Sequence, residues 1–247
     1  MNILVLAAGD SALGEGGNVG FPNILYEVNG RLHVERIIES ISELQSSNLI
    51  FAVNSLDNKS FALDRTLALL NSDIKVLEVR EGTGGAACTT LLAAEYIDND
   101  HELLILNGNE ILEINYLETL EKFRELNIDS GVLTFDAVHP RYSYVSVSDE
   151  GYVEEAAEKV PISRNAVAGF FYFRKGSDLI SAVKSMIRAS DSVNGMYYVT
   201  PALNYLILEG SKIGTLKIEN RRYHPLKNLE QARRFEMLSG GYKLESE

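Results

Sequence analysis

An α/β fold built around a largely parallel sheet is predicted by three features of the sequence. Short apolar runs alternate with amphipathic helical ones, which is the pattern of βαβ units. The first run, Ile3-Leu4-Val5-Leu6, opens at its carboxyl end into Ala7-Ala8-Gly9 and a glycine-rich tract ending at Gly20-Phe21-Pro22. The most hydrophobic run, Leu103-Leu104-Ile105-Leu106, is followed by the polar Asn107-Gly108-Asn109-Glu110. Open α/β sheets bind their ligands in the crevice outside the carboxyl ends of the strands. The opening tract therefore reads as a nucleotide-binding loop, and Asn107 to Glu110 should face the same crevice.

The elements follow in order. After the first strand, Ile24 to Val28 is strand-like, and Asn29-Gly30 turns the chain into a helix with Val34, Ile37, Ile38, Ile41 and Leu44 on one face, the spacing of a buried helical stripe. Leu49 to Val53 is the second core strand, Phe61 to Leu70 a helix, and Ile74 to Val79 a third strand. Gly82-Thr83-Gly84-Gly85-Ala86-Ala87 leads into a helix carrying Leu91, Leu92, Ala94 and Tyr96. Leu103 to Leu106 should lie centrally. Beyond it come a helix from Tyr116 to Leu126, a strand from Gly131 to Phe135, and a hairpin of Tyr144 to Val147 with Tyr152 to Glu155. A long aromatic strand spans Val167 to Phe173, followed by helices at Leu179 to Ile187 and from about Val199, a strand at Ile213 to Ile218 and a helix from Leu229 to Leu238. No repeat or linker divides the chain, so residues 1–247 read as one domain.

Composition narrows the function. The 247 residues, 45% of them hydrophobic, suffice for a substantial core. A formal net charge of −12 argues against a nucleic-acid partner, whose phosphates require clustered Lys and Arg. The lone Cys88 leaves no disulfide and no Cys cluster, and His33, His101, His139 and His224 lack close ligand spacing. The amino terminus has no basic leader, and no run approaches about 20 apolar residues. A cytoplasmic protein without a membrane or nucleic-acid partner is expected.

Two stretches carry candidate chemistry. A small-residue helix start at Gly82 to Ala87 offers backbone N–H donors to a base, ribose or phosphate oxygen; the same residues would equally let the helix pack close to a strand. Glu110 could ligate Mg²⁺, which takes one or two carboxylates and completes its shell with water and phosphate oxygens; the alternative is a solvated turn. A dinucleotide fingerprint is excluded, because Gly14-Glu15-Gly16-Gly17-Asn18-Val19 lacks the third glycine and lies too far from the strand end.

Leu6-Ala7-Ala8-Gly9, Pro22, Val28-Asn29-Gly30, Gly82-Thr83-Gly84-Gly85-Ala86, Asn107-Gly108, Glu158-Lys159, Ala168-Gly169-Phe170-Phe171-Tyr172-Phe173 and Tyr197-Tyr198-Val199-Thr200-Pro201-Ala202-Leu203-Asn204 occur in the order found in sugar nucleotidyltransferases. The chain resembles that family over nearly its whole length. The resemblance implies a single Rossmann-like three-layer domain of the glycosyltransferase-A type, with a mostly parallel central sheet and a small β-rich acceptor-side subregion. Residues 1–130 would form the nucleotide-binding half and residues 131–247 the acceptor-binding half. It implies a nucleoside triphosphate and a phosphorylated small-molecule acceptor as partners, Mg²⁺ as cofactor, and a role in surface or capsular polysaccharide precursor synthesis; it is compatible with a homo-oligomer.

By position, the resemblance places Leu6, Ala7, Ala8, Gly9, Asp10, Ser11, Asn23, Gly82, Thr83, Gly84, Gly85 and Asn107 at the nucleotide. Asn109 stands where a metal-binding Asp is expected, with Glu110 as its companion ligand, and Lys159 would meet the acceptor phosphate. Asn109, Glu110 and Lys159 are thus the catalytic candidates, and Glu158, Lys159, Gly169, Arg141 and Arg222 the acceptor-side ones.

The departures from the family pattern are chemical. Ser11 replaces a glycine, Leu13 an arginine and Asn23 a lysine, and no Lys or Arg occurs before Arg31. A carboxylate of Asp10, Glu15 or Glu27 near a triphosphate would be costly unless it bound metal, as Asp10 or Glu110 could, or pointed away, since two charges about 4 Å apart interact by about 4 kcal/mol at an effective dielectric of about 20. The segment Arg222 to Asn228, where a second metal-binding Asp is often found, contains none. Arg221 and Arg222 with His224 are candidates for supplying the missing positive charge. These losses leave a second reading open, a nucleotide or nucleotide-sugar binding protein of the same fold that does not turn over its ligand.

Overall fold

The computed structural model describes residues 1–9 and 21–240. The first half contains β1 (Asn2–Ala7), β2 (Glu27–Val28), β3 (Arg31–Leu32), α1 (His33–Ser40), β4 (Asn48–Asn54), α2 (Ser55–Phe61), α3 (Leu63–Leu70), β5 (Ile74–Val79), α4 (Ala86–Leu92), α5 (Ala94–Ile97), β6 (Leu103–Asn107), β7 (Glu110–Leu112) and α6 (Tyr116–Glu125). The second half contains β8 (Ser130–Asp136), β9 (Ser143–Val147), β10 (Val153–Glu158), β11 (Asn165–Phe173), α7 (Gly176–Arg188), α8 (Val199–Leu208), β12 (Ile213–Lys217), β13 (Tyr223–Pro225) and α9 (Leu229–Gly240).

The main sheet has nine strands in the order β10-β9-β11-β6-β1-β4-β5, with β8 and β12 branching from β11. Strands β5, β4, β1 and β6 pair in parallel, and only β10 and β11 run against the other seven. The mostly parallel α/β sheet expected from the sequence is present. Alternation along each strand sends side chains to opposite faces. Ile3, Val5, Phe51, Leu104, Phe170 and Tyr172 meet α1, α3 and α6 on one side. Leu4, Ile50, Ile105, Phe171 and Phe173 meet α4, α7 and α8 on the other. Two buried helical layers thus enclose one sheet. Among the described residues no helix is long and apolar enough to cross a membrane.

Several local expectations are corrected. Ile24 to Val28 is not one strand: Asn23–Leu25 is a 3₁₀ turn and only Glu27 and Val28 pair, with β3. The helix placed at Phe61 to Leu70 is two helices, broken where Ala62 turns left-handed at φ 49°. The first begins earlier, because the Asn54 side chain accepts the Leu56 N–H at 2.8 Å and caps it. The helix through Leu91 to Tyr96 is likewise divided at Ala93. Glu110 to Leu112 is a strand rather than a turn, paired antiparallel with β13 in the register Pro225↔Glu110 and His224↔Ile111.

The hairpin β9-β10 forms the sheet edge, and its outer strand is tied down by a side chain. Asn204 of α8 accepts the Ala156 N–H and donates to the Ala156 carbonyl, both at 2.8 Å. An amide side chain thereby satisfies an edge residue that has no further strand beside it. Asn204→Ala is expected to cost about 1 to 2 kcal/mol, read as a lower urea midpoint with an unchanged slope.

Candidate functional site

A cleft of about 530 Å³ opens at the carboxyl ends of the parallel strands. One wall carries Leu6, Ala7, Ala8 and Gly9 after β1, Asn54 after β4, and Arg80 to Thr83 after β5. The floor is Asn107 to Glu110, and Asn23 lines the same space. The opposite wall is built by Arg141, Tyr142, Ser143, Glu158, Gly169, Tyr198 and Thr200, with Lys227 closing it. Two close approaches shape the floor and the far wall. The Gly108 N–H donates to the Leu6 carbonyl at 2.8 Å, and a Cβ on Gly108 would sit 2.9 Å from Cβ of Ala7. In β11 the pairing slips between Val167 and Phe171, and Gly169, at φ +59°, leaves room that a Cβ would take from Glu110 Oε2 and Asn107.

The structure brings most of the sequence-derived candidates to this cleft. Leu6, Ala7, Ala8, Gly9, Asn23, Gly82, Thr83, Gly85, Asn107, Asn109, Glu110, Arg141, Glu158 and Gly169 all line it. Asp10, Ser11 and Leu13 lie outside the described residues. Gly84, Lys159 and Arg222 do not line it.

For Gly84 the reason is packing, and Gly85, which does line the cleft, takes part in the same contact. The Tyr197 N–H donates to the Gly84 carbonyl at 2.7 Å, and the Ala87 N–H to the Tyr197 carbonyl at 3.0 Å. The glycines thus dock the Tyr197-Tyr198 segment, and one of the helix-start donors expected to face a ligand is already engaged. Lys159, at φ +60°, directs its ammonium to the Tyr198 hydroxyl at 3.0 Å and over the Tyr198 ring at 5.0 Å. That hydrogen bond raises its pKa. No ion pair joins it to Glu158, whose carboxylate instead accepts from the Ser143 hydroxyl. Arg222 ends a 3₁₀ turn, Asn220–Arg222, outside the cleft, where its carbonyl accepts the Glu113 N–H at 2.9 Å. Arg221 pairs with Glu219 and His224 with Glu113. The basic cluster near the carboxyl end therefore braces β7 and its own turn rather than the cleft.

Among the described residues three cations do line the cleft: Arg80, Arg141 and Lys227. Among the described residues, Arg80 and Arg141 have no carboxylate within ion-pair distance; Arg141 folds over its own loop, with Nε 3.1 Å from Nδ1 of His139. Arg80 and Lys227 are absent from the sequence-derived set. Arg80 directly follows the strand Ile74 to Val79, so the strand-end rule alone identifies it. Lys227 lies in the segment searched for an Asp, where a basic residue was the available signal.

Glu110 is the most heavily buried charged group of the cleft, with only 7% of its surface exposed. Oε1 is 3.4 Å from the Asn107 amide nitrogen and 3.9 Å from Lys227 Nζ, and Oε2 is buried without a hydrogen-bond partner. Burial pushes its pKa up, against the pull of Lys227, Asn107 and the neighbouring Tyr223 hydroxyl. Glu158 is also raised by burial and lowered in turn by Ser143, Lys159 and Lys227. The ammonium of Lys227 therefore acts on both carboxylates.

An α/β protein with a cleft at the carboxyl ends of its parallel strands belongs to the class that binds its ligands there. The family described as "Nucleotidyl transferase" matches residues 33–204. The chain belongs to that family, whose members generally use a divalent metal. The bifunctional protein GlmU of Caldanaerobacter subterraneus is 25% identical over 225 residues, covering 86% of this chain and 46% of that protein. A second GlmU, from Carboxydothermus hydrogenoformans, is 23% identical, and the chain spans about half the length of either relative. The nucleoside-diphosphate-sugar pyrophosphorylase of Vibrio cholerae superposes with a TM-score of 0.78 at 18% identity, covering 95% of this chain and 99% of that one. The inositol-1-phosphate CTP transferase of T. maritima gives 0.74 at 15% identity, covering 99% and 97%. These likenesses establish the fold.

The described residues do not fit a family-type Mg²⁺ site. Asn109 brings no charge, and its backbone carbonyl is taken by the Leu226 N–H at 2.8 Å. Among the described residues no group of three or more His, Cys, Asp or Glu is placed to hold a metal. A cation bound to Glu110 Oε1 at about 2.1 Å would lie within about 6 Å of the Lys227 ammonium, a repulsion of about 5 kcal/mol at an effective dielectric of about 20 before solvent screening.

Proposed function

We propose that the chain transfers a nucleoside monophosphate from a nucleoside triphosphate to a phosphorylated sugar or similar small acceptor, releasing pyrophosphate. An acceptor phosphate oxygen forms a bond to the α-phosphorus while the bond from that phosphorus to the bridging oxygen of the β-phosphate breaks. Such chemistry asks the protein to align two anions and offset their charge, with no covalent nucleophile. The observation that carries the reading is the cleft lined by Arg80 and Arg141, which have no carboxylate partner among the described residues, together with Lys227.

In this reading the backbone of Leu6 to Gly9 and the Gly82-Thr83 loop hold base and ribose, and Asn23 and Asn107 contribute polar contacts. Arg80, Arg141 and Lys227 receive phosphate groups. Ser143, Glu158 and Tyr198 orient the acceptor, with Lys159 holding the Tyr198 hydroxyl. The chain would work as one domain, residues 1–130 serving the nucleotide and 131–247 the acceptor, in the cytoplasm and in the supply of surface or capsular polysaccharide precursors. The test is pyrophosphate release with each common nucleoside triphosphate and a panel of sugar phosphates. Release with at least one pair is the expected result. Nucleotide-dependent thermal stabilisation without pyrophosphate under any pairing would assign the chain to the binding-only alternative.

A further inference from the structure

We propose that the Lys227 ammonium supplies in this chain the positive charge that a divalent cation supplies elsewhere in the family, so that triphosphate binding here needs no divalent metal. The inference rests on the reading that the cleft takes a nucleoside triphosphate, and it goes beyond that reading in naming what neutralises the phosphates.

The placement of Lys227 is built into the fold. Strand β13 pairs with β7 so that Pro225 lies opposite Glu110, and the Leu226 N–H is hydrogen-bonded to the Asn109 carbonyl at 2.8 Å. The backbone of Lys227 is thereby fixed next to the two residues expected to hold the metal. Its side chain lines the cleft, 3.9 Å from Glu110 Oε1, and is 40% exposed. Glu110 Oε2 is buried, and the carboxyl neighbours the Tyr223 hydroxyl; the Lys227 ammonium meets this carboxylate through Oε1.

The charges are consistent with this exchange. A dication needs carboxylates, and the family position has become Asn109, which carries none. The Lys227 ammonium, by contrast, lies 3.9 Å from Glu110 Oε1, in a cleft that Glu158 also lines. An ammonium can bind phosphate as a point charge without a coordination shell. The uncharged Asn109 and the cation of Lys227 line the same corner of the cleft.

The test measures binding of each common nucleoside triphosphate by calorimetry and by thermal shift, in excess EDTA and in excess Mg²⁺. The wild-type chain is expected to bind equally in both, and Mg²⁺ alone is expected to produce no thermal shift. Lys227→Met should weaken binding at least about tenfold, while Lys227→Arg retains it. Because Lys227→Met leaves the Glu110 carboxyl without its cation, the double variant Glu110→Gln, Lys227→Met preserves a neutral, foldable floor and should show the same weakening. Lys227→Asp should make binding depend on Mg²⁺. Wild-type binding that vanishes in EDTA and returns with Mg²⁺ would overturn the inference while leaving the proposed function standing. Undiminished affinity in both Met variants would overturn it as well. No binding in either condition removes the nucleotide reading itself, and the inference with it.

Discussion

Replacing Gly85 by alanine is expected to cost about 3 kcal/mol of stability and to abolish nucleotide-induced thermal stabilisation. Gly85 has φ +108°, and a Cβ there would collide with the Tyr197 carbonyl oxygen and stand 2.9 Å from the Tyr197 nitrogen. Both are backbone atoms held by hydrogen bonds to Gly84 and Ala87, so no rotamer change relieves the contact. The backbone must separate, carrying Tyr198 and Thr200 away from Gly82 and Thr83 across the cleft. Gly82→Ala is the control. Its φ is +84°, but nothing lies within 4 Å of the added Cβ, so it should cost only about 1 kcal/mol of backbone strain. Urea titration of the two variants measures the difference, and equal destabilisation would show that the close approach is not the cause.

The second large effect is acid sensitivity centred on His33. The imidazole is buried, and neither ring nitrogen makes a well-formed hydrogen bond. Burial lowers its pKa from 6.5 to about 4, assisted by Arg36 and opposed by the Gly108 carbonyl. The sign follows from proton counts. Between pH 6.5 and about 4 the unfolded chain binds a proton at His33 that the folded chain does not, so stability falls as pH falls through that window. The loss amounts to about 2 kcal/mol by about pH 5. His33→Phe removes the ionisable group, and its unfolding free energy should decline less steeply than that of the wild type over the same range. The buried carboxyls of Glu110 and Glu158 have raised pKa values and act in the opposite sense, but they are common to both chains. Parallel pH profiles would mean that His33 is solvated in solution.

The order of strands and helices was legible because burial on both faces of a parallel sheet leaves long apolar runs, and because helices such as α1 and α7 carry one apolar stripe. Strands β7 and β13 were not legible. Each has three residues, too few for a period, and each exists only because its partner, more than a hundred residues away, is in place. The break at Ala62 was invisible for a related reason: alanine is a strong helix former, and only tertiary packing holds it left-handed. At the site, the strand-end rule located the cleft walls from Leu6 to Gly9 and from Asn107 to Glu110. It did not separate Gly82, whose added Cβ would meet only open space, from Gly84 and Gly85, which approach Tyr197. Nor could it foresee that Lys227, rather than Arg222, points into the cleft, since adjacent turn residues diverge by geometry that composition does not record.

The β7-β13 pairing also sets when the cleft can exist. Its first wall is made by residues 6 to 9 and its last cation by residue 227, so two edges of one small space lie more than two hundred residues apart in sequence. Synthesis can complete the central strands and still lack Lys227, leaving Glu110 without the cation that lies beside it. Ligand binding thus waits for β13, and a product that stops before Tyr223 would expose the floor without offering a site.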